Sequence, residues 1–290
     1  MVTLANVTTV CYGWCMTEAT NDNDDATVLV LRTCQPDMCS SHGFRWPREG
    51  LVEAPDWRPT ANCGHGLHGL LWGAGDFRLL NPYDDAVWLV VEVAASDIVD
   101  LCGKVKFPRG HVVYAGSQQA ATDMIAAHPE ADAAQVVGLI VERGDGADVK
   151  VGDAGQAVVG ADGMAIAGAA GTAIAGASSV AIAGDGGTAR SGRDGTSMVG
   201  DDGLAVTGDG GTAMAGWRGT AIAGEGGMAV VGKDGSAMAG PGGIVACTDA
   251  AGHLSVMHTD GTIKEKVAPR PGVAYWLDEA GRFENAEEMG

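Results

Sequence analysis

Gly216-Trp217-Arg218-Gly219-Thr220-Ala221-Ile222-Ala223-Gly224-Glu225-Gly226-Gly227 is one and a half units of a pattern that runs from Gly152 to Gly243. Glycine stands at 152, 160, 168, 176, 184, 192, 200, 208, 216, 224, 232 and 240, a period of eight without a miss. A second glycine follows each three residues later, at 155, 163, 171 and onward, and only Ser179 interrupts that second series. Eight residues are too few for a helix-turn-helix repeat, a leucine-rich repeat or a propeller blade. Glycine at this density also disfavours helix, where each costs about 1 kcal/mol against alanine. Short alternating segments between glycines fit strands. Each octad therefore reads as one strand and one Gly-x-x-Gly corner, with glycine supplying the positive φ of a tight turn. Two octads close one flattened coil. Twelve octads give about six coils, and at about 4.8 Å per layer the stack is roughly 29 Å long.

Alternation decides what points inward. One set of positions (157, 165, 173 and onward to 237) is alanine except for Ser197. The set facing the other way holds Thr172, Thr188, Thr196, Thr212 and Thr220 beside Ile166, Ile174, Ile182, Met198, Met214, Ile222 and Met238, with Gln156 and Arg190. Uniformly small residues suit a space-limited interior. A buried, unpaired Arg190 would be costly. The alanine set is thus expected inside, and the Thr/Ile/Met set outside. Exposed aliphatic ladders mark contact surfaces, so Ile166, Ile174, Ile182, Met198, Met214, Ile222 and Met238 are candidate interface residues. Trp217, alone at a corner where most octads have Asp, Ala or Gly, joins them.

The chain has 290 residues and a net charge of −19. Acidity spread along the chain disfavours nucleic acid and anionic membrane as partners, although it permits an acidic mimic or decoy of nucleic acid. Seven irregularly spaced cysteines, no basic-then-apolar start and no apolar run of about 20 residues lead to the expectation of a cytoplasmic protein with reduced thiols.

Three regions follow. Residues 1–132 read as an α+β domain. Strands are expected at Val7–Trp14, Thr27–Arg32, Val87–Val93 and His111–Tyr114, a short helical turn within Gly66–Gly75, and a helix at Gln118–His128 ended by Pro129. Residues 133–243 form the octapeptide-repeat β-solenoid. Residues 244–290, with strand-like runs at Ile244–Cys247, Leu254–His258, Thr262–Val267 and Val273–Leu277, form a short all-β cap. Such stacks need their open ends closed, and the N-terminal domain is expected to close the other end.

Cys63-Gly-His-Gly-Leu-His-Gly-Leu-Leu-Trp-Gly-Ala-Gly-Asp76, Trp88–Val93, Gly103–Gly110 and the Gly-Thr-Ala octads together resemble a family of uncharacterised actinobacterial and phage-associated proteins. That resemblance implies a small N-terminal domain of unknown function, an octapeptide solenoid and a short C-terminal domain. The octads are also similar to those of bacterial ice-nucleation proteins, which present paired threonines to order water. Here the second position of the pair is Ile, Met, Val or Arg.

Candidate chemistry is sparse. Cys63, His65 and His68, with Cys34 and Cys39, are zinc-type ligands, but Cys-x-His-x-x-His is not a finger spacing, Cys34 and Cys39 have no matching second pair, and neither metal nor other cofactor is expected. The corner residues form no acidic ladder for calcium. Tyr12, His68, Glu92 and the strand pair Gly103–Tyr114 loosely resemble the split-sheet layout of ADP-ribosyltransferases, making His68 and Glu92 the candidate catalytic residues of an enzymatic alternative. The favoured reading is a non-enzymatic structural and interaction protein. Its solenoid is a rigid scaffold and self-association surface, giving homo-oligomers or filaments. An ice-binding surface is a further alternative.

Overall fold

A computed structural model describes residues 26–40, 42–81, 83–248, 254–258, 263–267, 275–277 and 283–285. The expected strand Val7–Trp14, and Tyr12 with it, lies outside the described residues. The chain divides into two compact units, Met1–Ser117 and Gln118–Gly290, where the sequence had placed a boundary at 132.

In the first unit seven strands make one sheet: β1 Thr27–Cys34, β2 Gly50–Glu53, β3 Leu67–Leu71, β4 Val87–Ala94, β5 Val99–Asp100, β6 Val105–Phe107 and β7 Arg109–Gly116, in the order β2-β7-β4-β1-β3-β6-β5. Every pairing is antiparallel. The two longest apolar runs take central places, with Thr27 to Cys34 paired residue by residue against Ala94 to Val87. Val30, Leu31, Leu89, Val90 and Val91 are completely buried. Leu67–Leu71, expected as a helical turn, is instead strand β3. Its partners β1 and β6 supply the ladder, and tertiary pairing outweighs the local preference.

The second unit opens with helix α1, Gln118–Ala126, which buries Ala121, Thr122 and Ile125. Fourteen short strands then wind a β-solenoid of seven coils. Sheet A holds β8 Ile140–Glu142, β10 Gln156–Val158, β12 Thr172–Ile174, β14 Thr188–Arg190, β16 Leu204–Val206, β18 Thr220–Ala223 and β20 Ser236–Ala239. Sheet B holds β9 Asp148–Lys150, β11 Met164–Ala167, β13 Val180–Ala183, β15 Thr196–Val199, β17 Thr212–Ala215, β19 Met228–Val231 and β21 Ile244–Thr248. Neighbours pair in parallel with a constant offset, as in Ala157↔Ala173 and Ala165↔Ala181. There is one coil more than the octads alone indicate. β8 and β9 form a first coil ahead of the glycine series, and β21 is the last rung rather than part of a separate cap. Sheet B continues antiparallel into β22 Leu254–His258 and β23 Ile263–Val267. β24 Tyr275–Leu277 and β25 Phe283–Asn285 pair with each other.

The interior is the alanine ladder. Ala157, Ala165, Ala173, Ala181, Ala189, Ala205, Ala213, Ala221 and Ala229 are all at 0% exposure, as is Ser197. The first coil is covered by α1, whose Gln119 Nε2 donates to Ile140 O on edge strand β8 at 3.1 Å, and whose Gln118 Nε2 donates to Gly138 O at 2.7 Å. Covering an edge in this way blocks further strand addition.

The corners correct one expectation. The recurring glycines do not supply the positive φ. That conformation falls on the third corner residue, which is Ala154 (52°), Ala170 (53°), Ser178 (54°), Asp202 (56°) or Arg218 (53°) as readily as Gly186 (65°). Glycine recurs because the coils leave no room for Cβ. A Cβ on Gly176 would lie 2.6 Å from Ala161 N and 2.7 Å from Gly160 C, backbone atoms of the coil below. The second series faces inward, where a Cβ on Gly187 would lie 2.9 Å from Gly171 O. Ser179 is tolerated there because its Oγ accepts from Gly163 N (3.2 Å) and lies 2.9 Å from Ala177 O as donor.

Corner aspartates add a second bond between coils. Oδ1 of Asp145, Asp153, Asp185, Asp201 and Asp209 accepts from the backbone N–H sixteen residues on, at 2.8–3.0 Å.

Two opposite outcomes follow for one-carbon changes at a corner. Gly176→Ala should destabilise the solenoid by about 1–3 kcal/mol through overpacking. Ala170→Gly should leave stability unchanged or raise it by about 1 kcal/mol, since relief of the left-handed conformation outweighs the added unfolded-chain entropy. Urea unfolding of the two variants measures both.

Candidate functional site

Two features qualify: a cavity in the first unit and the outer faces of the solenoid. The cavity, about 630 Å3, is lined by Arg32, Trp46, Cys63, His65, His68 and Lys104 among others. Its rim is the loop before β3. Three successive residues there have positive φ, Gly64 (91°), His65 (52°) and Gly66 (149°), which turns the chain sharply between Cys63 and His68. Lys106, fully buried in β6, holds that loop by donating from Nζ to Asn62 O (2.8 Å) and Gly64 O (3.3 Å).

Arg32 reaches the cavity from β1. Its Nη1 donates to His68 O at 2.6 Å, and its guanidinium carbon lies 4.7 Å from the centre of the Trp46 ring. Arg32 Nε and Trp46 Nε1 are buried without a hydrogen-bond partner among the described residues. Burial, with Lys104, Arg32 and Lys106 nearby, pushes the His68 pKa down to about 4, so the ring is neutral at pH 7. Its Nε2 accepts from Gly64 N at 3.4 Å. Lys104 Nζ donates to the exposed Cys63 Sγ at 3.0 Å and holds that thiol below its usual pKa. A lowered thiol pKa favours the nucleophilic thiolate.

Of the zinc-type candidates, Cys63, His65 and His68 thus line one cavity, but each has another partner: Lys104 for Cys63, Gly64 for His68, and Asp56 Oδ2, 3.3 Å from His65 Nδ1. Among the described residues no three His, Cys, Asp or Glu side chains are grouped to hold a metal ion. His68 and Glu92 are not brought together. Glu92 is exposed on β4, in register with Leu29 and His111, and β1 runs between its strand and that of His68.

On the solenoid, the interface candidates divide between opposite sheets. Sheet A presents Ile174, Ile222 and Met238 in a column with Val158, Arg190 and Val206, beside Gln156, Thr172, Thr188, Leu204, Thr220 and Ser236. Sheet B presents Ile166, Ile182, Met198, Met214 and Val230 in one column, and Met164, Val180, Thr196, Thr212 and Met228 in the other. Sheet A is mixed; sheet B, over these five rungs from β11 to β19, is aliphatic apart from two threonines. Most of these side chains are half-buried by the rungs above and below, with Met164 at 36%, Met228 at 40% and Met238 at 63% exposure. Met164, Val180, Met228 and Val230 were missed as interface candidates. Reading every sixteenth residue instead of every eighth would have exposed them, because alternate octads lie on opposite faces.

Trp217 is 42% exposed but not isolated. Its backbone N–H donates to Asp201 Oδ1 (2.8 Å) and its Nε1 to Asp234 Oδ2 (3.2 Å). Arg218 lies 4.0 Å over its ring and forks onto Asp202 at 2.7 and 2.6 Å, holding that carboxyl below its usual pKa. The corner is clamped across three coils.

Fold and surface together define a repeat protein: a β-solenoid with a regular outer surface, preceded by a small antiparallel sheet domain. Comparison with known proteins fits both parts. Residues 28–127 match the model of a domain of unknown function (DUF7666). An ice nucleation protein of Pseudomonas syringae is 46% identical over 101 residues, 34% of this chain and 9% of the relative. One from Xanthomonas campestris pv. translucens is 42% identical over 103 residues, 35% of this chain and 7% of the relative. The ice nucleation protein InaU of Pantoea ananas is 39% identical over 103 residues, 35% of this chain and 10% of the relative. The chain therefore spans a tenth or less of the curated relatives it matches. No solved structure matches the chain. Among the described residues no helix is long and apolar enough to cross a membrane.

Two measurements test the cavity chemistry. Lys104→Gln should slow iodoacetamide alkylation of Cys63 at pH 7 about threefold or more, read by peptide mass spectrometry. For His68 the folded pKa of about 4 lies below the 6.5 of a free histidine side chain. The unfolded chain then binds more protons between those values, so the histidine lowers stability as pH falls through that window. His68→Gln should flatten the acid side of the stability–pH profile.

Proposed function

We propose that the protein is a non-enzymatic interaction scaffold whose solenoid presents the outer face of sheet B for association with other copies of the chain. One observation carries the reading. Ten side chains on five successive rungs, from Met164 to Val230, are aliphatic except for Thr196 and Thr212. An apolar surface this continuous on a frame fixed by backbone hydrogen bonds marks a contact site. The mixed face of sheet A, with Arg190, Gln156 and its threonines, has no such continuity. The similarity to ice nucleation proteins supports a role resting on the repeat rather than on a catalytic centre.

A second reading, ordering of water or ice by the outer face, is favoured by that similarity and by the in-register pairs Thr172↔Thr188 and Thr196↔Thr212. Against it, the position two residues on is Ile174, Arg190, Met198 or Met214, not a second threonine.

Light scattering should show a concentration-dependent oligomer, which Met198→Glu with Met214→Glu returns to monomer while altering unfolding stability by about 1 kcal/mol or less. A strict monomer at several hundred micromolar, combined with a raised freezing temperature of supercooled droplets, would replace this reading with the second.

A further inference from the structure

We infer that the sheet B faces of two copies meet in parallel, with both stacks running in the same direction about a twofold axis along the solenoid, and that Asp148 and Lys150 set this direction. The inference rests on the self-association proposed above and specifies its geometry.

The first rung of sheet B differs from all that follow. β9 places Asp148 at the foot of one outer column and Lys150 at the foot of the other, with Val149 buried between them. Both charged residues are exposed, and neither forms an ion pair within the chain among the described residues.

Two stacked sheets whose strands stay aligned have two twofold arrangements. With the axis along the stack, each rung meets the same rung of its partner and the columns exchange. Asp148 then faces the partner's Lys150, and Lys150 the partner's Asp148. With the axis along the strands, the stacks run oppositely and, with the seven solenoid rungs in full overlap, β9 meets β21. Asp148 would then be pressed against the half-buried aliphatic partner residue at position 244, and Lys150 against the buried alanine position 246. Burying an unpaired charge against an apolar surface is unfavourable, whereas opposite charges across an interface fix register and direction. The aliphatic rungs above the first make no such distinction.

The area fits a second copy of modest affinity. Seven rungs at about 4.8 Å by two columns each about 7 Å wide give roughly 500 Å2 per copy and about 1,000 Å2 in total, the lower end for a specific interface. The dimer should therefore dissociate on dilution.

The test uses the full chain and analytical ultracentrifugation at low ionic strength. Asp148→Lys places like charges opposite each other in a parallel dimer, as does Lys150→Asp. Each variant should dimerise at least about tenfold more weakly than the parent. Mixed in equal amounts the two should recover the parental affinity as a heterodimer, because every charge again meets its opposite. The double variant, with both charges exchanged, should recover it alone. Circular dichroism confirms that all are folded. A parent that dimerises with single variants unaffected, or a mixture that stays dissociated, overturns the parallel arrangement but leaves self-association standing. In that case the charges serve only to blunt the exposed edge of the first coil. A parent that never dimerises overturns both.

Discussion

The constraint beneath everything in the solenoid is the closeness of successive corners. The first glycine of most corners donates its backbone N–H to the glycine carbonyl one coil below, as in Gly184 to Gly168 at 3.0 Å and Gly192 to Gly176 at 2.9 Å, while Gly200 and Gly232 donate to Ala183 O and Ala215 O. That contact leaves no volume for a side chain. The alanine interior follows from the same economy of space, since strands of three or four residues between such corners enclose a core too thin for larger groups. With both glycine and alanine fixed by packing, the outward positions of each strand and the two middle corner residues are left to vary, and the surface chemistry resides in them.

The corners show how the free positions serve stability as well as surface. A residue in the left-handed conformation costs about 1–2 kcal/mol when it is not glycine, yet most coils carry one there. Each such residue from Ala154 to Arg218 donates its N–H to the next coil, as Ala170 does to Asp185 O at 2.8 Å. The conformational cost is thus attached to a bond that joins the layers. Corner aspartates extend this ladder, and the Arg218–Asp202 fork with Trp217 beneath it is its most elaborate rung.

Much of this was legible in the amino-acid order. The period gave strand and corner, and the alanine positions gave the interior. The two roles of glycine could not be told apart that way, because freedom of φ and absence of Cβ select the same residue. The neighbouring Ala154, Ser178 and Arg218 gave no hint of their unusual backbone. The segment Leu67–Leu71 was misread because its extended form depends on β1 and β6, whose paired residues lie 39–41 positions before and 36–40 after their partners in the chain. The cavity was half legible. Cys63, His65 and His68 stand together in sequence, but Arg32 and Lys104 reach them only through the order of strands in the sheet.

Because a coil consumes two octads, the two sheets take alternate octads in turn. A chain that gained or lost a single octad would keep its glycine series, its inward alanines and the backbone bonds between corners. Beyond the change, however, each rung would move to the opposite sheet, and the aliphatic surface would be cut and continued on the far side. Growth of this protein by duplication is therefore neutral to the backbone in steps of eight residues but neutral to its outer surface only in steps of sixteen.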